Sequence, residues 1–221
     1  MPQGSVLSVT LFSLKINSIL NQLPHTVHCN LYVDDLNTFC QGKDMRQNER
    51  RLQLDINRII VWTNKNGFLF SADKAQCVHF YRIRDVHPDP DFFMNKCLIS
   101  VSDMAKVLGV DFDKKIPFLQ HILNLRHRCE QSVNILKLLS NTSWGADRVS
   151  LLKIYRAVIG SKIDYACQVY SLADASYLKK IDTVYQSALR ICSGIFRISP
   201  GVSLHIDLLN LHFISSVRNF L

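Results

Sequence analysis

Residues 29–42 read CNLYVDDLNTFCQG, and this stretch decides the fold class of the first half of the chain. Two short runs of β-type residues flank an adjacent pair of carboxylates, Asp34 and Asp35, in the pattern of a tight antiparallel hairpin. Successive side chains on a strand point to opposite faces, so neighbouring aspartates both reach outward only where the chain turns. Aspartate is a favoured turn residue, and a solvated turn is one reading of the pair. The strongly apolar flanks, with Tyr32 just ahead, support another: an acidic tip on a buried hairpin, suited to a divalent metal for phosphate chemistry.

Working outward, residues 6–20 are apolar nearly all round and stop short of Pro24, which predicts a buried helix. Downstream, Leu52, Ile56, Ile59 and Ile60 recur at helical spacing, predicting an amphipathic helix from 48 to about 64 that ends at Asn66-Gly67. FLFSADKAQCVHFYRI (68–83) reads as strand, turn and strand, and KVLGVDFDKK (106–115) as a further extended run centred on glycine. One antiparallel sheet with two packed helices follows, an α+β arrangement.

After Pro117 the texture changes. Ile122, Cys129, Val133, Leu136 and Leu139 form one helical stripe, and Val149, Leu152, Tyr155 and Ile159 a second. A third, Leu178, Ile181, Tyr185, Ala188 and Cys192, is closed by Gly194. The expected organisation is an α+β region over 1–115 and a helical bundle over 116–221, joined near Lys115–Phe118 without a low-complexity linker.

Composition narrows the function classes. The 221 residues are 48% apolar, enough for a core, yet no apolar run approaches the roughly 20 residues that cross a bilayer. VLSVTLFSL (6–14) has the length of a signal core, but no basic residue precedes it and no small-residue cleavage site follows. An intracellular protein, nuclear or cytoplasmic and not secreted, is expected. Seven cysteines stand singly at 29, 40, 77, 97, 129, 167 and 192, which fits a reducing compartment. His25/His28 and His127/Cys129 lack the second pair a metal site needs. The net charge of +8 is uneven: residues 1–115 carry 14 basic and 12 acidic groups, residues 116–221 carry 12 and 6. A basic second half is compatible with a phosphate-backbone partner, and equally with an ordinary basic protein.

YVDD at Tyr32–Asp35 resembles the Y-x-D-D box of reverse transcriptases, and other blocks accompany it in order. PQGSVLSVTLF (2–12) resembles the P-Q-G-S box, with Val9 where proline is common. GFLFSADKAQCVHF (67–80) resembles the following block with its lysine, and LGVDFD (108–113) the hairpin that grips the primer end. The helical half, from NTSWGADRVSLLKIYRAVIG (141–160) onward, is similar to the segment after the polymerase domain in jockey-like non-LTR retrotransposons.

The resemblance implies a partial polymerase palm followed by a helical, thumb-like region, acting on an RNA template, a DNA primer and deoxynucleoside triphosphates. Its chemistry is two-metal nucleotidyl transfer with Mg²⁺. By resemblance Asp34 is the principal metal ligand and Asp35 a weaker one, both counted as catalytic. Lys74 could protonate the leaving pyrophosphate, or be a solvated turn lysine. Gln3, Gly4 and Tyr32 would neighbour the nucleotide or template base, and Leu108 and Gly109 would build the primer grip. The family's third carboxylate comes from an earlier strand, and Met1–Val33 contains no Asp or Glu. An N-terminally truncated, inactive fragment is therefore expected. The alternatives are a non-catalytic nucleic-acid-binding remnant or an interaction module. For the remnant, Arg126, Arg128, Lys137, Arg148, Lys153, Arg156, Lys179 and Lys180 would follow a duplex backbone; otherwise they are the solvated faces of helices.

Overall fold

The computed structural model describes residues 4–24, 26–81, 88–141 and 143–194. The chain divides into two compact units, Met1–Asp103 and Met104–Leu221. No helix among the described residues is long and apolar enough to cross a membrane.

The first unit opens with helix α1 (Val6–Asn17), followed by strands β1 (His28–Tyr32) and β2 (Asp35–Phe39) and helix α2 (Met45–Asn66). Local chemistry sets the ends of α2. The Asp44 side chain accepts from the Gln47 N–H at the start, and Gly67 takes the left-handed conformation at the stop (φ 69°). The expected Asn66-Gly67 signal is thus found, because glycine reaches that region without a Cβ clash. Ile59 and Trp62 of α2 bury against Ile16 and Ile19, with Leu31, Leu36, Phe68 and Phe70 packed around them. Trp62 stacks on Phe68 at 5.2 Å and donates its indole N–H to Ser18 Oγ at 3.2 Å.

Two expectations for this unit need correction. α1 is a helix but not a buried one: Leu7 and Leu14 are 68% and 69% exposed, and Val9 and Leu11 are exposed with them. Only the stripe through Phe12 and Ile16 meets the core. A helix apolar on every side needs neighbours on every side, and here one side has them. The single antiparallel sheet also fails to form. The strands pair as separate two-stranded sheets: β1 with β2, the short β3 (Gln76–Cys77) with β6 (Ser100–Val101), and β4 (Phe93–Met94) with β5 (Cys97–Leu98). The β3–β6 pair is parallel. Before β3, residues 72–74 form one tight helical turn and 68–70 no strand, because Phe68 and Phe70 are spent on the Trp62 cluster. Residues 82–83 of that predicted segment lie outside the described residues.

The second unit begins with the antiparallel hairpin β7 (Met104–Val107) and β8 (Val110–Asp113). The change of texture at Lys115–Phe118 assigns this hairpin to the first region. It belongs with the helices instead, since Val110 is buried in their core and Phe112 packs against it. Helix α3 (Leu119–Leu139) follows, burying Ile122, Leu125, Cys129, Val133 and Leu136 as its stripe requires. Helix α4 (Arg148–Tyr155) is capped by the Asp147 carboxylate, which accepts from the Val149 and Ser150 N–H groups. It runs through a widened π turn (Arg156–Gly160) into the short α5 (Ser161–Asp164) and α6 (Cys167–Tyr170). The buried face of α4 is Leu151, Tyr155 and Ile159, while Val149 is exposed, so the second predicted stripe is rotated. Helix α7 (Ala175–Ser193) buries Ile181, Tyr185, Ala188 and Cys192 as expected and ends at left-handed Gly194.

Candidate active site

The β1–β2 register pairs Tyr32 with Asp35, leaving Val33 and Asp34 as a two-residue turn. Val33 has φ +56°, a region in which a β-branched side chain is strained by roughly 1–3 kcal/mol. Packing beneath the hairpin holds that turn. Pairing alternates sides, so Leu31 and Leu36 share one face, and both pack on the Ile16, Ile19, Ile59 and Trp62 cluster. The other face carries Tyr32 and Asp35, then Asn30 and Asn37, then His28 and Phe39, whose rings stack at 5.2 Å. An apolar underside and a polar outer face orient the tip toward solvent. Asp34 and Asp35 are both exposed, and Tyr32 beside them is 60% exposed.

Beneath the tip lies a group that hydropathy does not reveal. Asp55 of α2 has no exposed surface, and neither carboxylate oxygen has a hydrogen-bond partner. Burial pushes its carboxyl above the usual range, with the Arg58 charge pulling the other way. The Cys29 thiol on β1 is raised in turn, by burial first and by the Asp55 charge second.

The hairpin brings Tyr32, Asp34 and Asp35 together. Gly4 is exposed ahead of α1 with φ +90°, and Gln3 lies outside the described residues. Lys74 is exposed at the end of the turn formed by residues 72–74. Leu108 and Gly109 form the β7–β8 turn in the second unit, with φ +48° and +83°. Two positive φ values make a turn whose twist matches the flanking strands. Its clamp is a residue that sequence reading missed: the Tyr165 hydroxyl donates to the Leu108 carbonyl at 2.5 Å. Nothing local to Tyr165 signals that role, because its partner is 57 residues away.

The two aspartates supply hard carboxylate oxygens, the donor type that Mg²⁺ takes. Their chemistry fits that ion while their number is short of a cage. Among the described residues, no group of three or more His, Cys, Asp or Glu side chains stands within reach of a common metal ion. His28 is committed to Phe39, His127 meets Gln131 at 3.1 Å, and Cys129 is buried, which leaves them as separate residues; His25 lies outside the described residues. All seven cysteines are free. Of the basic side chains in the second unit, Arg126 pairs with Glu130 at 2.8 Å, while Arg128, Lys137, Arg148, Lys153, Arg156 and Lys179 are exposed.

Residues 1–112 match the family model of the reverse transcriptase (RNA-dependent DNA polymerase). Over 88% of its length the chain is 29% identical to the RNA-directed DNA polymerase from mobile element jockey of Drosophila funebris, covering 22% of that protein. It is 27% identical, over the same shares, to the jockey polymerase of Drosophila melanogaster. Over 94% of its length it is 23% identical to the probable RNA-directed DNA polymerase from transposon X-element of Drosophila melanogaster, covering 23% of it. The chain thus spans less than a quarter of these relatives, and no solved structure matches it. A strained acidic hairpin tip, the match over the first half and relatives reaching across both units lead to one conclusion: the chain belongs to the reverse transcriptase family, with relatives among the polymerases of jockey and other non-LTR elements.

Proposed function

We propose that residues 1–115 are the aspartate-bearing part of a reverse transcriptase palm and that residues 116–221 form a thumb-like helical region beside it. The observation that carries this reading is the two-residue turn that exposes Asp34 and Asp35 at the end of a hairpin packed from below. Asp34 is the principal Mg²⁺ ligand and Asp35 its weaker companion. Bound there, Mg²⁺ supplies positive charge for nucleotidyl transfer from a deoxynucleoside triphosphate to a DNA primer on an RNA template. The protein's part is positional. Leu31 and Leu36 hold the tip rigid, and Tyr32 offers an aromatic face to the nucleotide with Gln3 and Gly4 as neighbours. Lys74 is the proton donor to the leaving pyrophosphate, and Leu108–Gly109 carry the primer end on backbone. Seven free cysteines support work inside the cell, in nucleus or cytoplasm.

Two carboxylates hold a divalent ion loosely, and Met1–Val33 has no third to offer. The 221-residue polypeptide on its own therefore does not synthesise DNA, whereas fusion to the preceding palm segment of a jockey polymerase gives synthesis that Asp34→Ala abolishes. Primer extension with Mg²⁺ or Mn²⁺ on a homopolymer template measures both. Template-dependent incorporation by the unfused chain, lost in Asp34→Ala, would disprove its inactivity; a fusion indifferent to Asp34→Ala would disprove the assignment of the ligand.

A further inference from the structure

In the second unit, a hollow of about 230 Å³ is lined by His121, Arg128, Ser161, Lys162 and Tyr165. A single water occupies about 30 Å³ in the liquid, so this space takes several waters or a tetrahedral oxyanion. Two of the five side chains are cationic at neutral pH, and among the described residues no carboxylate lines the hollow.

His121 makes the hollow more than a surface dent. The residue is 2% exposed, and its ring is held from behind: the Asp111 backbone N–H donates to Nδ1 at 3.3 Å. A backbone N–H can only donate, so Nδ1 carries no proton and the neutral ring bears its hydrogen on Nε2. Nε2 is buried and has no hydrogen-bond partner among the described residues. Burial, the largest influence on this imidazole, favours the neutral form and so preserves that tautomer. The Asp111 carboxylate lies at 3.7 Å on the Nδ1 side and accepts from the Asn124 amide at 3.0 Å.

The cations are partly free as well. Lys162 Nζ donates to Ser132 Oγ at 2.7 Å and reaches the Arg128 carbonyl at 3.5 Å, which leaves one of its three hydrogens unengaged. Arg128 is exposed and forms no ion pair among the described residues. Arg128 lies seven residues beyond His121, two turns along the same face of α3. An unsatisfied buried N–H costs roughly 1–3 kcal/mol unless something accepts from it.

We infer that this hollow is a phosphate-binding site, in which Arg128, Lys162 and the His121 Nε2–H grasp one phosphate group of a nucleic-acid backbone. Charge-assisted donors converging on a shared point suit an oxyanion, and nothing there reads a base. A backbone source is favoured by family membership and by the surplus of 12 basic over 6 acidic groups in residues 116–221. Tyr165, one wall of the hollow, also clamps the Leu108–Gly109 turn, so an occupied hollow and that turn share a support. The site does not depend on the Asp34–Asp35 assignment, and an Asp34→Ala chain should bind nucleic acid as the parent does.

The test uses the full 221-residue chain with two probes, a short RNA–DNA hybrid followed by anisotropy across salt and inorganic phosphate followed by histidine NMR. Arg128→Gln changes an exposed side chain and should fold; Lys179→Gln on α7 removes the same charge elsewhere. Arg128→Gln should weaken hybrid binding by about tenfold and lower the log–log salt slope by about 1, with Lys179→Gln having a smaller effect. Phosphate should shift the His121 Nε2–H resonance, and His121→Asn should remove that signal. A loss confined to inorganic phosphate would keep the oxyanion site and overturn its assignment to a nucleic-acid backbone. Equality of Arg128→Gln and Lys179→Gln with both probes overturns the site itself.

Discussion

Replacing Asp55 should stabilise the protein, and the gain should depend on pH with an unfamiliar sign. The residue has no exposed surface, both oxygens lack hydrogen-bond partners, and burial raises its carboxyl above the ordinary range. In the unfolded chain Asp55 ionises near pH 3.9, while the folded protein holds its proton to a higher pH. Below the unfolded value both states are protonated and nothing is lost. As pH climbs through the folded value, the folded state must accept a buried charge or keep a proton that the unfolded state releases, so stability falls. A partnerless polar group in the interior costs roughly 1–3 kcal/mol by mutational standards. Alanine also suits a helix interior better than aspartate, by about 0.5 kcal/mol. Asp55→Ala should therefore raise the unfolding free energy at pH 7 by about 1–3 kcal/mol, less whatever packing the carboxylate provides. Asp55→Asn keeps the shape without the charge and should flatten the difference between acidic and neutral pH. Urea unfolding of parent and variants between pH 3 and 7 measures both effects. A variant less stable at pH 7, or a parent-minus-Asn difference that does not change with pH, would show that the carboxylate has a partner in solution and refute the reasoning.

The β7–β8 turn invites two further substitutions. Gly109→Ala meets a φ of +83° and a Tyr165 ring carbon 3.4 Å from the new methyl, and should cost about 1–2 kcal/mol in the unfolding free energy. Tyr165→Phe removes only the bond to the Leu108 carbonyl and should cost about 1 kcal/mol, with faster amide exchange confined to residues 104–113. His121 carries the opposite pH sign to Asp55: its imidazole is pushed down by burial, so stability is held above about pH 6.5 and lost as pH falls below it. Thermal unfolding of parent and His121→Asn across pH 5–8 should diverge on the acid side alone.

Several elements were legible in the residues themselves. A two-residue turn between runs of strand formers at 29–39, the Asn66-Gly67 stop and the stripes of α3 and α7 all follow from neighbours within a few positions. The acidic tip was legible for the same reason, since a turn fixes which way Asp34 and Asp35 project. The rotated face of α4 was not, because Leu151 and Val149 are equally apolar and only the rest of the bundle chooses between them.

What the amino-acid order determined alone is therefore local: hairpins, helix ends, periodic faces, a family signature around YVDD and an uneven charge. Tertiary structure decided how much of each apolar face is covered, which left Leu7 and Leu14 of α1 in solvent and shut Asp55 away from it. It also joined Tyr165 to Leu108, and Lys162 to Arg128 and His121 in one hollow, across separations of 57 and more than 30 residues. Backbone preferences act through bonds and die away within a turn or two. Burial and convergence depend on whatever distant segment arrives to exclude water, and no short stretch of sequence carries that information.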